Sequence, residues 1–369
     1  MTAKTSNGAE DKISTRQVCF ILAAYGASTK LLLYPSLSSR EVGNALIFSA
    51  LINVAIQAII IWAVSFLSSR TDKTFFQLLS DTFGKVTAKV VYALFALYFV
   101  FSAFVPLTEQ QLLVYDSFYD TIPSTKVFLP IFIFTVFAGV KHFTNVGRCA
   151  DICLPVFVFT AIAFLAMSVG QADYSNLLPL MDAPAKSFLG YTVGSVFRFS
   201  ESAFLLMFMG HYKHKKGDTA KLTLSYVAGG LFVVAFIGTY FALYSSLAHT
   251  RLFAISNISL FFPIVSFIGR IDLFEVYMFD LVVLFAIVLN IQMCVHCLCH
   301  AFGKNYRIIY SLCANAVLIT LILIFNGKFG GLHKVAERWF WIPAFVFAYL
   351  IPLFAWALKR KGSNRGEGK

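Results

Sequence analysis

Two of the most apolar stretches of this 369-residue chain carry charge at their middles. Residues Ile13 to Leu37 hold Tyr25-Gly26-Ala27-Ser28-Thr29-Lys30, and residues Phe188 to Met209 hold Arg198-Phe199-Ser200-Glu201-Ser202. A charge at bilayer depth costs at least about 2.5 kcal/mol on insertion scales, so it persists where it faces a cavity or a partner. The two interruptions therefore point to a buried polar site. Gly26 and Ser28 permit unwound backbone, and groups exposed at Gly26 to Ser28 and at Ser200 to Ser202 are expected to hold the polar ends of a small ligand. Tyr25 and Phe199 are expected to pack on its apolar part.

Each charge has a plainer reading beside the functional one. Lys30 either snorkels to the surface or sits inside the bundle, paired with Glu201 or with a ligand carboxylate. Arg198 and Glu201, three apart, would meet on one helix face and neutralise each other; an unwound helix at Ser200 separates them and frees Glu201 for Lys30 or a ligand amine. Thr108-Glu109-Gln110-Gln111, in an otherwise aromatic helix, fits interfacial solvation as well as site lining. Asp272 and Glu275 open a helix, where its dipole favours acids without further function. Asp280 lies deeper, where no helix terminus accounts for it. Arg198, Glu109, Asp272 and Asp280 are thus the candidates for internal ion pairing or coupling.

Other chemistries find little footing. In Cys294-Val295-His296-Cys297-Leu298-Cys299-His300, the cysteine pair Cys294/Cys297 and the histidine pair His296/His300 fall on different helix faces, so a metal site is not expected. All seven cysteines lie in or beside apolar spans, and an odd number there is no disulfide framework. No P-loop, dinucleotide fingerprint or nucleophile elbow is present, so neither a cofactor nor an enzymatic activity is expected.

The elements that must position these residues are membrane helices. The composition is 59% hydrophobic and only 13% charged, which excludes an ordinary soluble domain. Ten candidate spans follow: Ile13 to Leu37, Val42 to Phe66, Val86 to Phe118, Val127 to Val140, Val146 to Val169, Phe188 to Met209, Leu222 to Leu247, Asp272 to Cys299, Tyr306 to Phe325 and Trp339 to Leu358. Ile255 to Phe267, short and holding Pro263, is expected to lie at the interface or re-enter. Residues 1–12 and 359–369 read as tails around a single transmembrane domain at 13–358, with no signal peptide at the start. The net charge of +12 is scattered among short loops, which argues topology rather than nucleic acid. With the N-terminus inside, twenty Lys and Arg fall on the cytoplasmic side against seven opposite, so both termini are expected in the cytoplasm. Ten spans divide into five plus five, with the first helix of each half interrupted. This spacing predicts a LeuT-like inverted repeat with discontinuous helices 1 and 6.

Further residues carry a family resemblance. Ile13-Ser14-Thr15-Arg16-Gln17 precedes a first span ending in Leu33-Tyr34-Pro35; Thr108-Glu109 is followed by Ile122-Pro123; Gly139-Val140-Lys141 leads to Arg148, Asp151 and Pro155. Asn176-Leu177-Leu178-Pro179, Pro263 with Arg270-Ile271-Asp272, and Pro352 complete the series. In order and spacing the chain resembles the endospore germination protein family, the B subunits of nutrient germinant receptors, within the amino acid–polyamine–organocation transporter superfamily. One departure stands out: where the family often shows Phe-Gly-Gly-Phe-Glu in the sixth span, this chain has Phe199-Ser200-Glu201-Ser202-Ala203, with the acid two positions early.

The resemblance implies a multi-pass subunit of the spore inner membrane that recognises a nutrient such as an amino acid, acting with a membrane A subunit and a lipoprotein C subunit. The ligand is expected between helices 1 and 6, closed over by the third and eighth spans. The rival expectation is a secondary amino acid transporter, proton-coupled through Lys30, Glu201 or Asp280.

Overall fold

The computed structural model describes residues 12–118, 124–212, 214–254, 271–325 and 338–357. Ser14 and Gln17 form a reciprocal capping box that starts α1 (Thr15–Ser28). The Gln17 amide also donates to Asp151 at 2.8 Å, and Arg16 pairs with the same carboxylate at 3.0 Å. These contacts tie the opening motif to the fifth expected span.

Helix α1 ends in apolar surroundings because its own last residues satisfy its terminal carbonyls. The Lys30 N–H donates to Ala27 O at 3.0 Å, and the hydroxyls of Ser28 and Thr29 donate to Tyr25 O at 3.4 and 3.3 Å. The Lys30 ammonium donates to Gly26 O. Residues 29–33 are non-helical, and α2 (Tyr34–Val42) restarts with Pro35 in its first turn. The first span is split, but Tyr25, Gly26, Ala27 and Ser28 are helical and the break falls at 29–33. Side-chain oxygens and an ammonium close the helix here, in place of a glycine opening it.

There follow α3 (Leu46–Ser69), α4 (Phe75–Phe83), α5 (Lys85–Phe118), α6 (Ser124–Gly139) and α7 (Phe143–Val169). The sixth expected span is split as well. Helix α8 (Ala185–Gly194) tightens into a 3₁₀ turn at Ser195–Arg198, the chain leaves helix at Phe199, and α9 (Ser202–Phe208) resumes. Then come α10 (Asp218–Tyr244), α11 (Ile271–Phe302), α12 (Arg307–Phe325) and α13 (Trp341–Ala357), the last containing a π-helical turn at Val346–Leu350. Among the described residues no strand forms.

Among the described residues, six helical runs are long and apolar enough to cross a bilayer: Tyr34–Ser69, Lys85–Leu113, Phe143–Val169, Asp218–Thr250, Phe279–Phe302 and Arg307–Phe325. Pro130–Gly139 and Trp341–Ala357, within the fourth and tenth expected spans, are shorter apolar helices. The segment Ile255 to Phe267 lies outside the described residues.

The packing is polar within and apolar without. Ile59, Phe137, Phe159, Leu224 and Leu323 face outward, while Asn53, Gln57, Glu109, Gln111 and Asn290 are buried. This is the distribution a bundle in lipid requires. Helix α5 runs along α11, and α10 lies against both α1 and α3. The approach of α10 to α1 depends on Gly229, where a Cβ would stand 2.9 Å from Ala23 O. Phe204 of α9 packs on Tyr25 of α1 and Phe99 of α5, with ring centroids 4.4 and 5.2 Å apart. The two broken spans and α5 thus share one core.

Candidate functional site at the two helix breaks

Both breaks are built around ion pairs that cross between spans. The Lys30 ammonium meets Glu201 Oε1, with the two side chains 1% and 0% exposed. It also lies 4.6 Å from the centroid of the Phe199 ring. Arg198 Nη2 stands 3.0 Å from Glu109 Oε1, again buried, at 4% and 0% exposure. Lys30 therefore does not snorkel, and Arg198 and Glu201 do not pair with each other. The turn between them sends the guanidinium to α5 and the carboxylate to the first break. Isolated charges in this interior would carry a heavy desolvation penalty; in pairs they hold three spans together.

Glu109 and its neighbours Thr108, Gln110 and Gln111 are all buried, so this turn of α5 belongs to the interior and not to an interface. The Gln110 amide donates to Asp280 of α11, which gives the deep carboxylate its partner. The side chain of Asp272 lies outside the described residues.

A second layer of polar groups, not singled out in the sequence, holds the sixth span open. Asn53 of α3 donates to Thr192 O at 3.1 Å and Ser195 Oγ at 3.0 Å, at the end of α8. One turn on, with its amide assigned from the surrounding donors so that the oxygen faces the break, the Gln57 side chain accepts from the backbone N–H groups of Glu201 and Ser202 at 3.0 and 2.7 Å, at the start of α9. One helix face thus caps both sides of the break. The signal was available, since Asn53 and Gln57 stand four apart in an otherwise apolar span. Helix α13 supplies the rest: Tyr349 OH donates to Phe199 O at 2.6 Å, and Ser202 Oγ donates to Ala348 O in the π-helical turn. A π-turn shifts the backbone bonding pattern and is a common way of offering a carbonyl sideways.

Between the breaks lies a narrow cleft of about 40 Å³. Tyr25 and Thr29 line it from the first break, Phe197, Arg198 and Ser200 from the second. Tyr98, Ser102 and Pro106 of α5 form another wall, and Phe340 and Ala344 close it from the tenth expected span. Pro106 has no N–H, so the carbonyl of Ser102, one turn back, lacks its usual helical donor beside the cleft. Among the described residues, the third expected span lines the cleft and the eighth does not; Asn290 of the eighth donates to Tyr25 OH at 3.4 Å. Phe199 is fully buried against Lys30 and Tyr34 and does not line the cleft; Phe197 does. Gly26 stands behind it, where a Cβ would come within 3.3 Å of Glu201 Oε1.

The cleft has room for about one water in this conformation. A larger hollow of about 380 Å³ opens above it, between α2, α8 and Arg338, and shares Phe197 and Arg198 with it. Those two side chains are floor to one space and roof to the other, and so stand between them.

Comparison with known proteins agrees with this architecture. No curated protein matches the chain. Among solved structures, the chain is similar to the substrate-bound outward-open state of a Na+-coupled sialic acid symporter. The TM-score is 0.59 at 10% sequence identity, over 90% of this chain and 79% of that one. The likeness establishes a LeuT-type transporter fold. Residues 12–355 match the family described as spore germination protein. A helical bundle with a polar interior, two split spans and that match over nearly its whole length is a multi-pass membrane protein of the spore germination protein family.

Proposed function

We propose that this chain is the nutrient-sensing subunit of a spore germinant receptor, and that it binds a small molecule such as an amino acid between the two split helices. In this reading ten spans cross the membrane as a five-plus-five inverted repeat, with both termini in the cytoplasm and the spore inner membrane as the site of action. The observation that carries the ligand site is the cleft itself: both breaks and α5 contribute polar groups to one narrow space beneath a wider hollow. The ligand enters from the hollow past Phe197 and Arg198, its polar ends meeting Arg198, Ser200, Thr29 and the Ser102 carbonyl. Lys30, Glu201 and Ser202 then act from behind, fixing the breaks, and Tyr25 supplies an aromatic wall.

Widening the cleft to amino-acid size requires α8, α9 and α13 to move relative to α5. A ligand that fits the widened arrangement better than the narrow one shifts the balance between them, and that shift is the signal available to partner A-type and C-type subunits. The family supports a permease or a germination protein, and a secondary transporter is the second reading. It is favoured by Asp280, a carboxylate deep in α11 with an uncharged partner, where a proton could be carried.

Binding of a panel of radiolabelled L-amino acids to the purified protein, and their uptake into proteoliposomes, tests both readings. A receptor subunit binds without turnover, and a transporter accumulates label. Ser200→Trp fills the cleft and is expected to weaken binding at least tenfold while leaving membrane insertion intact. An unchanged binding curve in this variant removes the cleft as the ligand site.

A further inference from the structure

At the other end of the same helices lies a basin of about 1030 Å³. Five cations from three separate connections line it: Lys85 and Lys89 at the start of α5, Lys141 before α7, and Lys304 and Arg307 before and at the start of α12. Among the described residues, no Asp or Glu lines the basin and none of these five makes an ion pair. Two exposed cations elsewhere, Lys73 and Arg16, have carboxylate partners in Asp81 and Asp151.

The positive-inside rule accounts for basic loops, but not for their convergence on one concavity without carboxylates. Two further features act in the same direction. The floor is made by histidines, His211 from beyond α9 with His296 and His300 from α11, their rings in contact at centroid distances of 5.3 and 4.5 Å. The N-terminal ends of α5, α7 and α12 all open on the basin, each adding the positive end of its dipole. Arg307 is held in place by donating to Lys141 O at 3.2 Å and Asn305 Oδ1 at 3.1 Å.

We propose that this basin is a binding site for a phosphate-bearing anion of two or more negative charges, distinct from the cleft between the helix breaks. Phosphate oxygens suit the combination of mobile ammonium groups, a fixed guanidinium and helix N-termini, and several phosphates fit the volume. Such an anion bridges α5, α7, α11 and α12. It thereby links the connections that flank the core helices.

The test uses the full-length protein and two probes. Inorganic pyrophosphate is titrated into purified protein by calorimetry at constant ionic strength, and cardiolipin retention from mixed nanodiscs is read by native mass spectrometry. Lys89→Ala with Lys304→Ala is expected to weaken the bound probe at least tenfold, whereas Arg40→Ala at the opposite end leaves it unchanged. Pyrophosphate binding with that pattern assigns a soluble anion. Cardiolipin retention with that pattern, without pyrophosphate binding, assigns a lipid headgroup. Both lysines are exposed, and Lys85→Ala with Lys141→Ala, also exposed, repeats the test should the first pair fail to fold. Binding of neither probe to the wild-type protein, or equal binding by wild type and both pairs, overturns the proposal.

Discussion

At the scale of single residues, the interior of this protein is organised by who pairs with whom. Lys30 joins Glu201, and Arg198 joins Glu109, in a region where every one of these side chains is buried. Removing one partner of such a pair leaves the other charge stranded, at a cost of roughly 3–5 kcal/mol. Lys30→Met is therefore expected to lower thermal stability in detergent sharply. The double variant Lys30→Met with Glu201→Gln should recover most of that loss, because no isolated charge remains. Equal stability of single and double variants in a melting experiment would show that the pair does not behave as a unit. The residue types at this site were readable from the chain, because charge in an apolar run is conspicuous. Their partners were not: Lys30 and Glu201 are 171 positions apart, and only packing chooses between Glu201, a ligand carboxylate and the surface.

At the scale of elements, the breaks are made by the helices around them as much as by their own sequence. Gln57 satisfies two N–H groups at the start of α9, and Asn53 reaches a carbonyl and a hydroxyl at the end of α8. Leaving a buried donor unsatisfied costs about 1–3 kcal/mol, so Gln57→Leu is expected to lower the melting temperature. Ile59→Ala, on the outward face of the same helix, should not. A comparable loss arises at the contact of α10 with α1. Gly229→Val drives a side chain into Ala23 O and is expected to cost about 1–3 kcal/mol by overpacking, visible in the same melt. The positions of the two split spans were legible as charge within apolar runs. The register of the first break was not, since whether Gly26 unwinds or stays helical depends on which groups take up the last carbonyls of α1.

At the scale of the whole molecule, the fold places a narrow cleft beneath one hollow and a basic basin at the opposite end, with the split sixth span running between them. Lys186 lies in the first turn of α8 and Lys215 in the connection between α9 and α10, both exposed. In a chain freed of its native cysteines, Lys186→Cys and Lys215→Cys are expected to react with an impermeant thiol reagent from opposite sides of the membrane. Labelling from the same side would mean that the two short helices do not together cross the bilayer.

Composition and hydropathy alone determined that this is a helical membrane protein, because lipid admits few ways of hiding a backbone and apolar runs of this length take one of them. The interruptions were equally plain in one dimension, and the ordered motifs were enough to suggest the family. Tertiary structure decided the rest: that Arg198 turns to Glu109 and not to Glu201, that Phe197 and not Phe199 faces the cleft, and that α13 supplies one of its walls. Those choices rest on contacts between segments far apart in the chain, and a local pattern carries no record of which neighbour will be near.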